Sequence, residues 1–140
     1  MKILTHAEAR ALIDPFYNLF RSGKRDWDKG MAVLDENWIS YYTNTSFRNK
    51  TDTRKFLEGF FELIPDINVD VKELFVHEGT IAVRSELTGT PVKDFLVPCS
   101  GRSFSIMTMD FNRYKDGKLI ELYHIEDWAT AINQLSGKNL

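Results

Sequence analysis

Apolar residues recur with two different periods along the 140-residue chain, and the change of period divides the chain in two. In the first 64 residues they recur every three or four positions, which is typical of helices with one buried face. From Ile67 onwards they alternate with polar residues, which is typical of strands with one solvated face. Helices followed by strands predict a single α+β domain over residues 1–140, with about three N-terminal helices covering one side of a curved, mostly antiparallel sheet.

The first half contains three predicted helices and one short strand. Thr5 and Glu8 form a capping-box pattern, and Pro15 either kinks the first helix or restarts it. Thr51 or Asp52 is the expected cap of the last helix. The predicted elements are a helix from about His6 to Arg21, a helix from Trp27 to Leu34, an aromatic strand over 38–42 and a helix from Asp52 to Ile64.

The second half contains strands that lead into one long hairpin. Asp116-Gly117 between two apolar runs is a strong hairpin signal, because both residues tolerate a positive φ. The apolar parity shifts at Glu73 and near Ile106-Met107, which predicts bulges that curl the sheet around a pocket. The predicted elements are strands over 67–76 and 81–87, a loop over 88–101, hairpin arms at Arg102–Tyr114 and Lys118–Asp127, and a helix at Ala129–Leu135.

Composition excludes several classes of function. The formal net charge is −2 with scattered basic residues, so no nucleic-acid partner is expected. Met1–Leu4 is too short for the apolar region of a signal peptide, and no apolar run could span a membrane, which favours a cytoplasmic protein. Cys99 is the only cysteine, so an intrachain disulfide is impossible. No nucleotide-binding or metal-binding motif occurs, so neither a cofactor nor a metal is expected.

The last two strands are apolar on both faces. Ile120 and Leu122 share one parity, whereas Leu119, Tyr123 and Ile125 share the other. Since helices can cover only one side of the sheet, the other side is expected to meet a second copy of the chain. The predicted quaternary structure is a homodimer formed through the sheet.

Three ionisable residues, Asp110, His124 and Asp127, lie on the hairpin or directly after it. A polar group among apolar neighbours must be paired, strained or functional. Asp110 is either a buried carboxylate with a raised pKa or a partner for a polar group on the next strand. His124 is either an acid/base group or a histidine satisfied by hydrogen bonds, and Asp127 is either an acid/base group or the cap of the terminal helix.

The chain also contains an ordered set of short segments, namely Asp28–Trp38, Ile64-Pro65-Asp66, Thr88-Gly89-Thr90, Phe95-Leu96, Gly101-Arg102, Asp110, Arg113 and Asp116-Gly117-Lys118. In this order and spacing the chain resembles SnoaL-like polyketide cyclases of the nuclear transport factor 2-like superfamily, from about Ala7 to Gly137. The resemblance implies a cone-shaped barrel around a deep apolar pocket, and commonly a dimer. In members that are true cyclases it implies cofactor-free aldol ring closure.

One departure from the family pattern bears on the chemistry. Where the family commonly has a Trp-Asp pair after the hairpin turn, this chain has Tyr123-His124, while Asp127 keeps the carboxylate found three residues further on. A histidine can still transfer protons at neutral pH, because its unperturbed pKa is about 6.5.

The resemblance, together with the ionisable residues of the hairpin, implies a protein that binds an apolar or aromatic carbonyl compound and promotes aldol cyclisation, isomerisation or dehydration. His124 or Asp127 would remove a proton, and Asp110 or Tyr42, as neutral acids, would stabilise the oxygen that gains charge. The residues expected to contact the substrate are Trp38, Tyr42, Phe60, Phe95, Met107 and Tyr123. The alternatives are a ligand-binding module without catalysis and a protein-interaction module that uses the loop around Phe95.

Overall fold

The computed structural model describes residues 3–138, which form four α-helices and a six-stranded sheet. The four terminal residues lie outside this description, including Met1 and Lys2 of the segment judged too short for a signal peptide. The helices are α1 His6–Tyr17, followed by a 3₁₀ turn at Asn18–Phe20, α2 Trp27–Ala32, α3 Lys50–Leu63 and α4 Trp128–Leu135. The strands are β1 Leu34–Tyr41, β2 Phe47–Asn49, β3 Asn68–His77, β4 Thr80–Gly89, β5 Phe104–Lys115 and β6 Lys118–Glu126.

The sheet is mixed and not closed. Its strand order is β2-β1-β6-β5-β4-β3, and every neighbouring pair is antiparallel except β1 and β6. The predicted α+β class and mostly antiparallel sheet are therefore confirmed. Strand β2 was not predicted, because its three residues lie in a polar segment too short to show alternation.

The turn and bulge predictions can be compared directly with the strand registers. Asp116 and Gly117 both have positive φ, at 50° and 77°, as the hairpin prediction required. The register of β3 against β4 shifts between Val71 and Glu73, which confirms the first bulge. The second predicted bulge, near Ile106-Met107, is wrong, because β4 and β5 stay in register along their whole paired length.

The second register shift lies instead at the closed end of the hairpin. Arg113 pairs with Glu121 but Tyr114 pairs with Leu119, which leaves Ile120 as an extra residue in β6. As a result Leu119 and Leu122 both point to the helix-covered side, and both are buried. The prediction that Leu119 shares a face with Tyr123 and Ile125, opposite to Leu122, is therefore wrong.

Several helix ends also differ from prediction: α1 ends at Tyr17, followed by the 3₁₀ turn, and not near Arg21, and α4 begins one residue early, at Trp128. Helix α2 ends at Ala32, because Leu34 already pairs with Leu119 as the first residue of β1. The cap of α3 is Asn49, whose Oδ1 accepts a hydrogen bond of 2.8 Å from the Asp52 backbone N–H. The capping box of α1 is present as predicted, and α1 continues past Pro15.

The hydrophobic core lies between the helices and the concave face of the sheet. Trp38 of β1 is only 1% exposed, and its ring contacts Phe16 of α1 edge-on at 5.5 Å between centroids. Trp38 therefore belongs to the core, and it does not lie on the wall of the cavity described next. The core fixes α1 against the middle of the sheet, which positions the residues of the candidate site.

Candidate active site

A cavity of about 390 Å³ lies between helices α1 and α3 and the concave face of the sheet. This volume is within the usual range for pockets that hold small molecules. Its wall is mainly apolar, and the larger apolar residues on it are Phe16, Phe20, Phe56, Leu57, Phe60, Leu87, Leu122, Ile125 and Trp128. Because an apolar wall lowers the local dielectric constant, electrostatic interactions inside the cavity are stronger than in water.

Four polar residues of β5 and β6 are brought together on the cavity wall by the strand register. Asp110 pairs with His124, and Thr108 pairs with Glu126. Because directly opposite residues project from the same face of a sheet, these side chains are neighbours, and all four line the cavity. The structure thus places a polar cluster on a mainly apolar cavity wall.

Asp110 is held by a residue of helix α1. The Tyr17 hydroxyl donates a hydrogen bond of 2.6 Å to Asp110 Oδ2, and Asn112 Nδ2 donates to the same hydroxyl at 3.0 Å. Burial raises the pKa of Asp110 to about 6, although the Tyr17 hydrogen bond acts in the opposite direction. The Asp110 carboxyl group can therefore gain and lose a proton near neutral pH.

His124 is oriented by Glu126, which lies two residues further along β6. His124 Nδ1 lies 2.7 Å from Glu126 Oε2, and since a carboxylate only accepts hydrogen bonds, Nδ1 carries the hydrogen. Burial acts to lower the pKa of His124, but the hydrogen bond and charge of Glu126, together with Asp110, outweigh it and raise this pKa. The arrangement leaves Nε2 as the exchangeable nitrogen.

Two further predicted site residues, Tyr42 and Phe60, also lie on the cavity wall, so the structure brings them together with Asp110 and His124. Asp127 lies outside the cavity. Asp127 Oδ1 accepts a hydrogen bond of 3.2 Å from the Thr130 backbone N–H, and the Thr130 hydroxyl donates to Oδ2 at 2.6 Å. These bonds lower the pKa of Asp127 and cap α4, as the capping alternative for this residue expected.

Three other predicted contact residues also lie away from the cavity. Met107 and Tyr123 are on the outer face of the sheet, because each neighbours an inward-pointing residue, Thr108 and His124 respectively. Phe95 packs against the ring of Trp128, at 5.4 Å between centroids, and holds the 88–101 loop against the domain. Trp38 and Phe95 therefore pack against other aromatic rings of the fold, whereas Met107 and Tyr123 lie on the outer face of the sheet. None of the four lines the cavity.

Sequence reasoning missed Tyr17, Glu126, Arg48 and Thr53 on the cavity wall. Glu126 could have been found, because it shares strand parity with His124 at a separation of two residues. Tyr17 reads as one more apolar position of α1, and its partner Asp110 is 93 residues away. Arg48 lies on the unpredicted strand β2, and the sequence gives no signal for it.

Within residues 3–138, no group of three or more His, Cys, Asp or Glu side chains is placed to hold a metal ion. Over this part of the chain, none of the helices is long and apolar enough to cross a lipid bilayer.

The sequence matches the family model of SnoaL-like polyketide cyclases over residues 11–135. The chain belongs to the SnoaL-like polyketide cyclase family. A search of the curated proteins found no match. The predicted family is confirmed, and the fold is that of the nuclear transport factor 2-like superfamily.

Solved structures of SnoaL-like proteins have the same fold. IdmH from Streptomyces antibioticus, described as a candidate polyketide cyclase, is 22% identical with a TM-score of 0.81, over 94% of this chain and 99% of that chain. AclR from Streptomyces galilaeus, described as a candidate hydroxylase, is 22% identical with a TM-score of 0.80, over 95% and 83%. TsrD from Streptomyces laurentii is 21% identical with a TM-score of 0.80, over 94% and 97%. At this identity the likeness shows the fold alone.

Proposed function

We propose that this SnoaL-like protein is a cofactor-free acid/base enzyme that acts on an apolar or aromatic carbonyl compound. The reaction would begin with removal of the proton next to a carbonyl group and lead to aldol cyclisation, or to isomerisation or dehydration. The observation that supports the proposal is the juxtaposition of Asp110 and His124 on the wall of an apolar cavity, each held by a second residue.

Asp110 is assigned the role of general base. Tyr17 binds Oδ2, which leaves Oδ1 to accept a proton from the substrate. The raised pKa of about 6 makes the carboxylate a stronger base than an exposed aspartate, while it remains largely ionised at neutral pH. Tyr17 is therefore a positioning residue, and Asn112 positions Tyr17 in turn.

His124 is assigned the role of general acid. With Nδ1–H directed to Glu126, protonated His124 donates from Nε2 to the carbonyl oxygen that becomes an enolate. In a cyclisation, the enolate carbon forms a bond to a second carbonyl carbon, whose oxygen then takes the proton from Nε2. Formation of this bond restores the first carbonyl group, and Asp110 returns its proton through solvent to His124 Nε2, so both groups are regenerated and the product is an isomer of the substrate.

These roles define a pH window. Asp110 must be ionised, so the rate rises as pH increases through about 6. His124 must be protonated, so the rate falls as pH increases through its pKa, which Glu126 raises above the ordinary value of 6.5. The expected pH–rate profile is therefore bell-shaped, with its maximum near neutral pH.

The test measures exchange of the α-protons of 2-tetralone in deuterium oxide by NMR. We expect the wild type to accelerate exchange over buffer, and Asp110→Asn and His124→Gln each to lower the enzymatic rate about 100-fold or more. His77→Gln is the matched control, because His77 is exposed near the β3–β4 turn. Wild-type exchange equal to that in buffer, or equal rates in all variants, would overturn the proposal.

The same cavity could serve a ligand carrier, which requires only the apolar wall. A carrier would bind 2-tetralone without exchanging its protons, and its affinity would be unchanged by Asp110→Asn or His124→Gln. The buried polar cluster favours the enzyme over the carrier. Burying polar side chains reduces the stability of the folded protein, and a carrier of an apolar ligand would not need them.

We also propose that the outer face of the sheet is covered by a second copy of the chain. One residue from each of the six strands forms a continuous apolar row across this face, namely Phe47, Tyr41, Tyr123, Phe111, Ala82 and Phe75. Phe47, Phe111 and Phe75 are 54%, 53% and 64% exposed. An apolar stripe that spans a whole sheet is unusual on the free surface of a monomer.

A further inference from the structure

Arg48 is a charged residue on the cavity wall whose position is fixed by two aromatic rings. Its guanidinium lies 4.3 Å from the ring centroid of Tyr42 and 4.0 Å from that of Phe56. Tyr42 and Phe56 themselves line the cavity and are partly exposed, so Arg48 lies on the rim. Stacking on two rings holds the planar guanidinium while leaving its N–H donors available at the edge.

Six other cations of the chain, unlike Arg48, form ion pairs with carboxylates. Arg10, Arg21, Arg54, Lys72, Arg84 and Arg113 each have an Asp or Glu oxygen within 4.0 Å. Within residues 3–138, Arg48 has no such ion pair and no hydrogen bond to a protein acceptor. A partly buried guanidinium without a protein anion is a site where an external anion can bind.

Thr53 provides a second, independent observation. It is 6% exposed and lines the same cavity, yet its hydroxyl has no hydrogen-bond partner among the described residues. Thr53 precedes Phe56 by three residues in α3, so its side chain lies on the same face of the helix as the Phe56 ring that Arg48 covers. The hydroxyl oxygen is itself enclosed, so the Thr53 side chain would have to rotate about χ1 to present it to a ligand. A ligand acceptor at that position would remove the cost of leaving a buried hydroxyl without a partner.

We propose that Arg48 and Thr53 form a subsite for a carboxylate, and that the natural ligand is an aromatic or apolar keto acid. The inference rests on the proposed function for the cavity itself, and it specifies the class of the substrate. The guanidinium and the hydroxyl both donate hydrogen bonds, and a carboxylate has enough lone pairs to accept from both.

The subsite also defines how the ligand lies in the cavity. Arg48 is on β2 and His124 is on β6, with β1 between them, so their backbones are roughly 10 Å apart. A ligand anchored by its carboxylate at Arg48 would therefore place its opposite part beside His124 and Asp110. The positive charge of Arg48 acts to lower the pKa of His124, and a bound carboxylate would offset that effect.

The test compares 2-naphthoate with methyl 2-naphthoate by isothermal titration calorimetry at pH 7.5. We expect the wild type to bind the acid at least about tenfold more tightly than the ester, as one charge-assisted hydrogen bond allows. Arg48→Gln should remove this preference by weakening binding of the acid alone. Arg48→Lys should keep part of it, since the charge remains without the planar group.

Two more variants keep the test decisive if Arg48→Gln fails to fold. Thr53→Val, which is nearly isosteric, should weaken binding of the acid about threefold to tenfold and leave binding of the ester unchanged. Arg54→Gln is the matched control, because Arg54 also covers an aromatic ring, that of Trp27, but lies outside the cavity. It should bind both probes as the wild type does.

The outcomes separate this inference from the proposed function. Equal affinity of the wild type for acid and ester would overturn the carboxylate subsite, while leaving the cavity as a ligand site. Unchanged preference in both Arg48→Gln and Thr53→Val would also overturn it. Failure of both probes to bind the wild type would overturn the subsite and the proposed ligand cavity together.

Discussion

Asp110 is an ionisable side chain whose burial reduces the stability of the folded protein. Its pKa of about 6 in the folded state exceeds the ordinary value of 3.8, so the charged form is disfavoured by folding. Between these two pH values the folded state binds more protons than the unfolded state, and the free energy of unfolding falls as pH rises. The loss is complete above pH 6, where the proposed reaction would need the charge.

Asp110→Asn should therefore stabilise the protein at high pH. At pH 8 we expect the free energy of unfolding to rise by up to about 3 kcal/mol, because each pKa unit corresponds to 1.36 kcal/mol. At pH 3.5 the difference should nearly vanish, since Asp110 is then mainly protonated in both states. The measurement is urea denaturation at both pH values.

Asp66→Asn, at a carboxylate exposed to solvent, is a suitable comparison and should show no gain of this size at pH 8. A lower stability of Asp110→Asn than of the wild type at pH 8 would contradict the prediction. It would mean that the Tyr17 hydrogen bond to the charged carboxylate outweighs the cost of burial.

At this scale the sequence singled out Asp110 and His124, which lie on the cavity wall, but not the residues that hold them. Asp110 and His124 were recognisable because each interrupts an apolar strand, and alternation placed Asp110 on one face with Asn112. The bond from Tyr17 depends on the packing of α1 over β5, which no local pattern encodes. For Asp127, both alternatives fitted the sequence, and its contact with Thr130 favours the cap.

Secondary-structure elements were predicted well in kind and less well at their ends. The strong periodicity of α1 and α3 and the Asp116-Gly117 signal left little choice, since apolar spacing and turn chemistry agreed. The end of α2 and the start of α3 are set by strand pairing in β1 and β2, so helix propensity alone misplaced them. Tertiary contacts decide boundaries where propensity is nearly neutral.

The last helix, α4, provides a test of the role of Asp127. Asp127→Ala removes both bonds to Thr130, so the free energy of unfolding should fall by about 1 kcal/mol, the usual value of a lost helix cap. Asp127→Ser can still cap and should lose less. Because the Asp127 side chain lies outside the cavity, the rate at which the folded variants exchange the protons of 2-tetralone should remain within about twofold of the wild-type rate.

Chemical denaturation and the exchange assay together distinguish the two roles. A loss of exchange of about 100-fold in Asp127→Ala, with stability unchanged, would assign Asp127 to catalysis after all. Such a result would require α4 to move so that Asp127 reaches the cavity.

For the whole molecule, the sheet separates two surfaces with different roles. Its concave face, covered by helices, holds the cavity and the polar cluster, whereas its outer face exposes the apolar row from Phe47 to Phe75. The sequence predicted two apolar faces from the hairpin arms alone. It could not predict that the row continues over all six strands, because residues from distant segments meet only through the strand register.

The outer face predicts the oligomeric state. Phe111 lies in the middle of the row, next to Tyr123, which stacks on Tyr41 at 4.6 Å between ring centroids. If two copies pack these rows together, Phe111→Lys would bury a charge at the centre of the interface and prevent association. We expect light scattering to give twice the chain mass of 16.3 kDa for the wild type and the single mass for Phe111→Lys.

Val92→Lys places the same charge at an exposed apolar residue of the 88–101 loop, away from the sheet, and should remain a dimer. Because Phe111 and the cavity lie on opposite faces of the sheet, the monomeric variant should still bind 2-tetralone. A monomeric wild type at tens of micromolar would contradict the dimer. Since an exposed apolar row favours association of some kind, the row would then have to bind another partner.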